Sequence, residues 1–135
     1  MTSEAEFKRD IVRQLLREGG FGRRIEDKFA VGSLDMLLLT RRYTIYAEAK
    51  LLKNIAAFPA SVMQREQIRL FNAVSNRYAY AIVVGLKDGN MCFGLPGERY
   101  DAHYQVPWPL VGPRSLAHHL DGAVEAIFAF TKEPV

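Results

Sequence analysis

Apolar positions near the start of the chain recur every three to four residues, which is typical of an amphipathic helix. The apolar side chains at helical spacing are Phe7, Ile11 and Leu15. Ser3 followed by Glu6 has the pattern of a capping box, and Gly19-Gly20 is a helix-ending signal. The pattern therefore predicts a helix over residues 3–18.

The pattern then changes to short runs that are typical of strands. Residues 23–30 could form a polar edge strand, and Gly32-Ser33 is a turn signal. The runs 34–40 and 43–49, joined by a tight connection at Arg41-Arg42, predict a β-hairpin. Alternation along the second strand places four residues on one face: Thr44, Tyr46, Glu48 and Lys50.

The rest of the chain continues to alternate between helical and strand patterns. The predicted elements are a loop (53–60), a helix (61–75), a strand (78–85), a turn (87–90), a short strand (91–95), a proline-rich irregular loop (96–113) and a last helix from Ser115 to about Phe130. The order is α-β-β-β-α-β plus a C-terminal strand and helix. We therefore expect an α/β fold with a mixed central β-sheet flanked by helices.

Composition restricts the class of protein without naming a function. The 135 residues suit one domain spanning 1–135, and 49% hydrophobic with 24% charged residues is ordinary for a globular protein. No apolar run approaches the roughly 20 residues of a membrane span, and the N-terminus lacks an apolar signal core. We expect a cytoplasmic protein without a membrane segment. The net charge of +3 is compatible with nucleic acid but does not require it.

Cysteine and histidine offer no metal site. The single cysteine, Cys92, cannot form an internal disulfide and is expected to be a buried apolar residue. His118 and His119 are adjacent on the last predicted helix, so their side chains point about 100° apart and cannot chelate one ion well. We expect both to be partly exposed.

The hairpin brings three polar residues together. Asp35 lies at the start of its first strand, whereas Glu48 and Lys50 lie at the end of the second. Two adjacent carboxylates repel each other unless a cation lies between them. Oxygen ligands without histidine or cysteine suit Mg²⁺ or Mn²⁺, which can stabilise charge on a phosphate and activate water. A Glu-x-Lys pair alone would usually be a solvated salt bridge, but these carboxylates flank apolar runs.

This pattern resembles the PD-(D/E)xK nuclease superfamily. Gly32–Asp35 matches its G-x-x-D element and Glu48-Ala49-Lys50 its E-x-K element, although Ser33-Leu34 stands where many members have a proline. The chain is most similar to the VRR-Nuc and Holliday-junction-resolvase-like branch, which also carries a Glu in the first helix and a Gln after the E-x-K strand. Glu6 and Gln67 match these positions.

The resemblance implies a role for each matching residue. Asp35 and Glu48 would bind the metal, with the Ala49 carbonyl as a backbone ligand, and Lys50 would be the catalytic lysine. Glu6 would bind metal through water or orient the site. Gln67 would support Lys50 or the metal, and Gln64, one helical turn earlier, could take its place. A restriction-endonuclease-like core would carry them all.

The implied activity is metal-dependent endonucleolytic hydrolysis of DNA, selective for structures such as junctions, flaps or nicks and performed by a homodimer. The pairs Arg23-Arg24 and Arg41-Arg42 could contact phosphates beside the site or remain solvated. Two alternatives stay open. One is a nuclease-fold module that binds nucleic acid without cutting it. The other is a structural or inhibitory protein that binds another protein.

Overall fold

A computed structural model describes residues 3–25, 35–52, 80–97 and 104–128. The elements in these ranges are helix α1 (Glu4–Arg17), strands β1 (Phe21–Arg24), β2 (Met36–Leu39), β3 (Thr44–Leu51), β4 (Tyr80–Lys87), β5 (Asn90–Gly94) and β6 (Tyr104–Pro107), and helix α2 (Leu116–Phe128). No helix within these ranges is long and apolar enough to cross a membrane.

The six strands form one sheet in the order β1-β2-β3-β4-β5-β6. Neighbouring strands are antiparallel except for β3 and β4, which are parallel. The sheet is therefore mixed, and α1 and α2 pack against it. This confirms the predicted mixed central β-sheet with helices packed against it.

Helix α1 forms as its amphipathic pattern predicts. The hydroxyl of Ser3 accepts a hydrogen bond from the backbone N–H of Glu6 at 3.1 Å, which satisfies one of the free N–H groups at the helix start. Gly19 has φ +82°, a backbone conformation that glycine adopts without steric cost, and it follows the last helical turn. The buried side is formed by Phe7, Ile11 and Leu15.

Both helices cover the same face of the sheet. The core of this face takes alternate residues from each inner strand: Met36, Leu38, Ile45, Ala47, Ala49, Ile82, Val84, Met91 and Phe93. Full burial of each Met, Leu, Ile, Val or Phe side chain among them contributes roughly 1.5–3 kcal/mol. Glu48 has the opposite parity in β3, so it lies on the other face, where Ala81, Val83 and Cys92 are also buried.

A carboxylate from α1's C-terminus holds the start of α2. Glu18 accepts hydrogen bonds from the backbone N–H groups of Leu116 at 2.7 Å and Ala117 at 3.0 Å. The Ser115 hydroxyl accepts the next one, from His118, at 3.0 Å. The first three N–H groups of α2 are thus satisfied by two side chains, one of them almost a hundred residues away in the chain.

Two predictions in the second half of the chain are wrong. Residues 104–107 were expected in an irregular loop but form β6. Proline is tolerated there because β6 is the edge strand and Pro107 is its last residue. His119 was expected to be partly exposed but is 8% exposed, and the Tyr104 hydroxyl lies 2.9 Å from its Nδ1. Burial, followed by the nearby His118 and Arg114, lowers the pKa of His119.

Two other predicted strands have shifted bounds, and some predicted elements lie outside the described residues. The edge strand predicted at 23–30 begins two residues earlier, at Phe21. The strand predicted at 78–85 continues to Lys87. The Gly32-Ser33 turn, the loop at 53–60 and the helix at 61–75 lie outside the described residues.

Candidate active site

The register of the hairpin places Asp35 beside Glu48. Met36 pairs with Ala47 across β2 and β3, so the next step outward brings Asp35 opposite Glu48. The backbone carbonyl of Asp35 accepts a hydrogen bond from the N–H of Ile25 at 2.7 Å. Its position is therefore held from the β1 side as well as from β3.

One carboxylate oxygen of Asp35 is held by the backbone of β3. Oδ2 accepts a hydrogen bond from the N–H of Ala49 at 3.0 Å. Because the N–H and C=O of one strand residue point to the same side of the strand, the Ala49 carbonyl also faces the Asp35 side. A backbone carbonyl therefore lies beside the two carboxylates and could act as a further oxygen ligand.

Glu48 is the unusual group of the site, because it is a charged residue type that is 2% exposed. Burial, followed by the charge of Asp35 and a hydrogen bond with it, raises the pKa of Glu48 from 4.5 to about 7. The ammonium of Lys50 lies 3.4 Å from Oε1 and acts in the opposite direction. A buried carboxyl pair of this kind favours either a shared proton or a bound cation.

Lys8 is part of the site, although the sequence did not single it out. Its ammonium lies 3.2 Å from Oδ1 of Asp35, and the two side chains are 17% and 18% exposed. Lys8 also lies 3.9 Å from Glu4, one helical turn earlier. The helical pattern shows that Lys8 adjoins the buried stripe, but only the packing of α1 on the sheet shows that it reaches Asp35.

Other predicted site residues are not brought to the carboxylate pair. Glu6 precedes Lys8 by two positions, about 200° around the helix, and is exposed. A contribution of Glu6 to metal binding stays a prediction, and the exposed position of Glu6 does not favour it. Gln64 and Gln67 lie outside the described residues.

The two arginine pairs lie at opposite ends of the hairpin. Arg24 pairs with Met36, adjacent to Asp35, so Arg23 and Arg24 are near the carboxylates. The 41–42 turn is about 20 Å from the carboxylates, since β3 rises about 3.3 Å per residue over the six residue steps from Arg42 to Glu48. Arg41-Arg42 thus lie away from the carboxylates, and contact of either arginine pair with phosphate stays a prediction. Arg42 instead pairs with Glu125 on α2 at 2.8 Å.

The donor set fits a hard divalent cation that keeps part of its water shell. Asp35 and Glu48 could supply carboxylate oxygens, and Ala49 could supply a carbonyl. Among the described residues, no group of three or more His, Cys, Asp or Glu side chains could hold a metal. Two carboxylates with a backbone carbonyl fit Mg²⁺, which is commonly bound by one or two carboxylates with several retained waters.

The raised pKa of Glu48 predicts how stability depends on pH without metal. The unfolded chain releases this proton near pH 4.5 and the folded chain near 7, so the folded state binds more protons in between. Stability should therefore fall as pH rises through this window, by on the order of 3 kcal/mol at about 1.4 kcal/mol per pKa unit. Urea unfolding in chelator at pH 5 and pH 8 measures the loss, and Glu48→Gln should lack it. Equal pH dependence in both proteins would contradict the prediction.

Comparison with known proteins adds a likeness of fold. No family model matches the sequence, and no curated protein matches it. A similar solved structure is Hjc, a Holliday junction resolvase from the archaeal hyperthermophile Archaeoglobus fulgidus. The sequences are 16% identical, the TM-score is 0.49, and the match covers 70% of this chain and 73% of that chain. A likeness this distant decides nothing about chemistry, which depends on the residues described above.

Proposed function

We propose that the chain is a Mg²⁺- or Mn²⁺-dependent endonuclease of PD-(D/E)xK type that hydrolyses phosphodiester bonds of DNA. The observation that carries the proposal is the carboxyl pair of Asp35 and Glu48, buried or half-buried at one end of the sheet, with Lys50 3.4 Å from Glu48. Burial and the charge of Asp35 raise the pKa of Glu48, and a divalent cation between the two carboxylates would relieve their repulsion.

Each residue has a defined task in this proposal. Asp35, Glu48 and the Ala49 carbonyl would hold the cation, which when bound would stabilise charge on the phosphate and lower the pKa of a water. Lys50, beside Glu48, would hold the attacking water or stabilise the negative charge that develops on the phosphorus oxygens. The water would lose a proton to solvent as its oxygen forms the new bond to phosphorus, and the ester bond to the leaving sugar oxygen would break as that oxygen takes up a proton from solvent water.

The test is cleavage of labelled DNA. Wild-type protein should cut a four-way junction, a flap or a nicked duplex in Mg²⁺ and should not cut in chelator. Asp35→Asn should lose the activity, because it removes a ligand charge without changing size. Glu125→Gln, which makes the same change on the exposed side of α2, should keep it. Binding of DNA without cleavage by the wild type would instead support a nuclease-fold module that binds and does not cut.

Substrate selectivity and assembly belong to the same proposal. Recognition of DNA structure rather than base sequence, by a homodimer, would place one site on each of two strands. Light scattering of the free protein and of its junction complex measures the number of copies. A single copy on a junction that is cut symmetrically would contradict the homodimer.

The arginine pairs provide an internal control for the path of DNA. Arg23→Ala with Arg24→Ala should weaken DNA binding and reduce the dependence of log K on log salt by up to about 1.8, because each phosphate contact contributes about 0.9. Arg41→Ala with Arg42→Ala removes the same charge at the far end of the hairpin. It should have the smaller effect. Equal effects of the two double variants would place the DNA elsewhere.

A further inference from the structure

The two oxygens of the Asp35 carboxylate are both engaged within the protein. Oδ2 accepts the N–H of Ala49 at 3.0 Å, and Oδ1 lies 3.2 Å from the ammonium of Lys8. The first partner is a backbone group in a strand and cannot move away without breaking the sheet. The second is the end of a flexible side chain. Lys8 is therefore the partner that can be exchanged.

The position of Lys8 is set by the core. It lies between Phe7 and Ile11, which are 0% and 1% exposed, so the helix backbone that carries it is fixed against the sheet. Only the four-carbon side chain can move. Glu4, at 3.9 Å and 40% exposed, offers a second acceptor toward solvent. The Lys8 ammonium can therefore pair with Glu4 when its contact with Asp35 is lost.

A lysine ammonium and a divalent cation compete for the same oxygen. Their charges have the same sign, and in a partly buried site this repulsion is only partly screened. The ammonium also compensates the carboxyl pair when no metal is present. Lys8 therefore stabilises the metal-free site and opposes metal entry.

We infer that Lys8 is a positioning residue: it is the resident counter-cation of Asp35, it lowers the affinity of the site for divalent metal, and it is released when metal binds. This inference rests on the proposed function, because it assumes that Asp35 is a metal ligand. It goes beyond the proposed function because it connects α1 to the metal site through the ammonium of Lys8. The sequence instead predicted a connection through the carboxylate of Glu6.

The first test measures Mn²⁺ affinity of the full chain without DNA, by titration calorimetry or by electron paramagnetic resonance of free Mn²⁺. Lys8→Met, which keeps the length and removes the charge, should bind Mn²⁺ more tightly by on the order of tenfold. Arg9→Met makes the same charge change one position along, about 100° around the helix, and should stay within about twofold of wild type. Unchanged or weaker binding by Lys8→Met would overturn the inference.

A second measurement needs no variant. The Lys8 amine of wild-type protein should be protected from acylation without divalent metal and should react faster after Mg²⁺ is added, as mapped by peptide mass spectrometry. The amine of Lys87, which pairs with the exposed Asp88, is the internal reference. Protection of Lys8 that is the same with and without Mg²⁺, in a protein shown to bind Mn²⁺, would overturn the inference.

Failure of the inference and failure of the proposed function give different results. If wild type cleaves DNA but Lys8→Met has wild-type Mn²⁺ affinity, the nuclease stands and the inference falls. If wild type neither binds Mn²⁺ nor cleaves while Lys8→Met binds Mn²⁺, the inference stands and the native chain is not a nuclease. If neither protein binds Mn²⁺, both are wrong.

Discussion

Replacing Lys50 by alanine is expected to lower Mg²⁺-dependent DNA cleavage by at least about a hundredfold, the effect of removing one group that stabilises developing charge in a transition state. Lys50 approaches Glu48 at 3.4 Å and is only 21% exposed, so its ammonium is held where the carboxyl pair would bind metal. Neither water nor a buffer cation can replace a charge at that fixed position. Single-turnover cleavage at saturating enzyme measures the chemical step apart from DNA binding.

The control for this prediction separates catalysis from metal binding. Lys50→Ala should still bind Mn²⁺, because Asp35, Glu48 and the Ala49 carbonyl remain. Arg17→Ala removes one positive charge at the far end of α1, where the guanidinium contacts Gln14, and should cleave like wild type. Cleavage by Lys50→Ala within threefold of wild type, with metal bound, would remove Lys50 from the mechanism.

Replacing Glu18 by alanine should be among the most destabilising changes of a surface-accessible residue in the described ranges. Its carboxylate accepts the N–H groups of Leu116 and Ala117 and the side-chain amide of Gln14. Hydrogen bonds to a charged group are worth about 1.5–3 kcal/mol each, and a negative charge at a helix N-terminus is favourable. We expect a loss of about 2–4 kcal/mol and a fall in Tm on the order of 10 °C.

Two further variants show whether the loss comes from helix capping. Glu18→Gln keeps an acceptor oxygen and removes the charge, so its Tm should lie between those of alanine and wild type. Glu125→Ala removes an exposed carboxylate from the side of α2 and should change Tm by no more than about 2 °C. Thermal unfolding followed by circular dichroism measures all three. Equal melting of Glu18→Ala and Glu125→Ala would show that the capping contacts contribute nothing measurable.

Local pattern determined the elements and the centre of the candidate site. Helix α1, the β2–β3 hairpin and helix α2 follow from periodicity, capping residues and short connections, which act within a few residues. A hairpin joined by a short turn has a restricted register. The placement of Asp35 opposite Glu48 therefore followed from sequence spacing. The roles of these residues in metal binding and catalysis remain predictions.

Local pattern could not predict contacts between residues that are far apart in the sequence. Strand β6 was missed because its proline content indicates a loop, and only pairing with β5 makes it a strand.

Asp35 and Glu48, thirteen residues apart in the sequence, show which part of the site depends on local pattern and which part depends on tertiary packing. The sequence by itself determined that Asp35, Glu48 and Lys50 would meet at one end of a sheet, because a strand alternates its side chains and a hairpin reverses direction. Only the tertiary structure decided that Lys8 neutralises Asp35 and that Glu18 caps α2. Periodicity shows which side of a helix is buried, whereas the contact a side chain makes there depends on how separate elements pack.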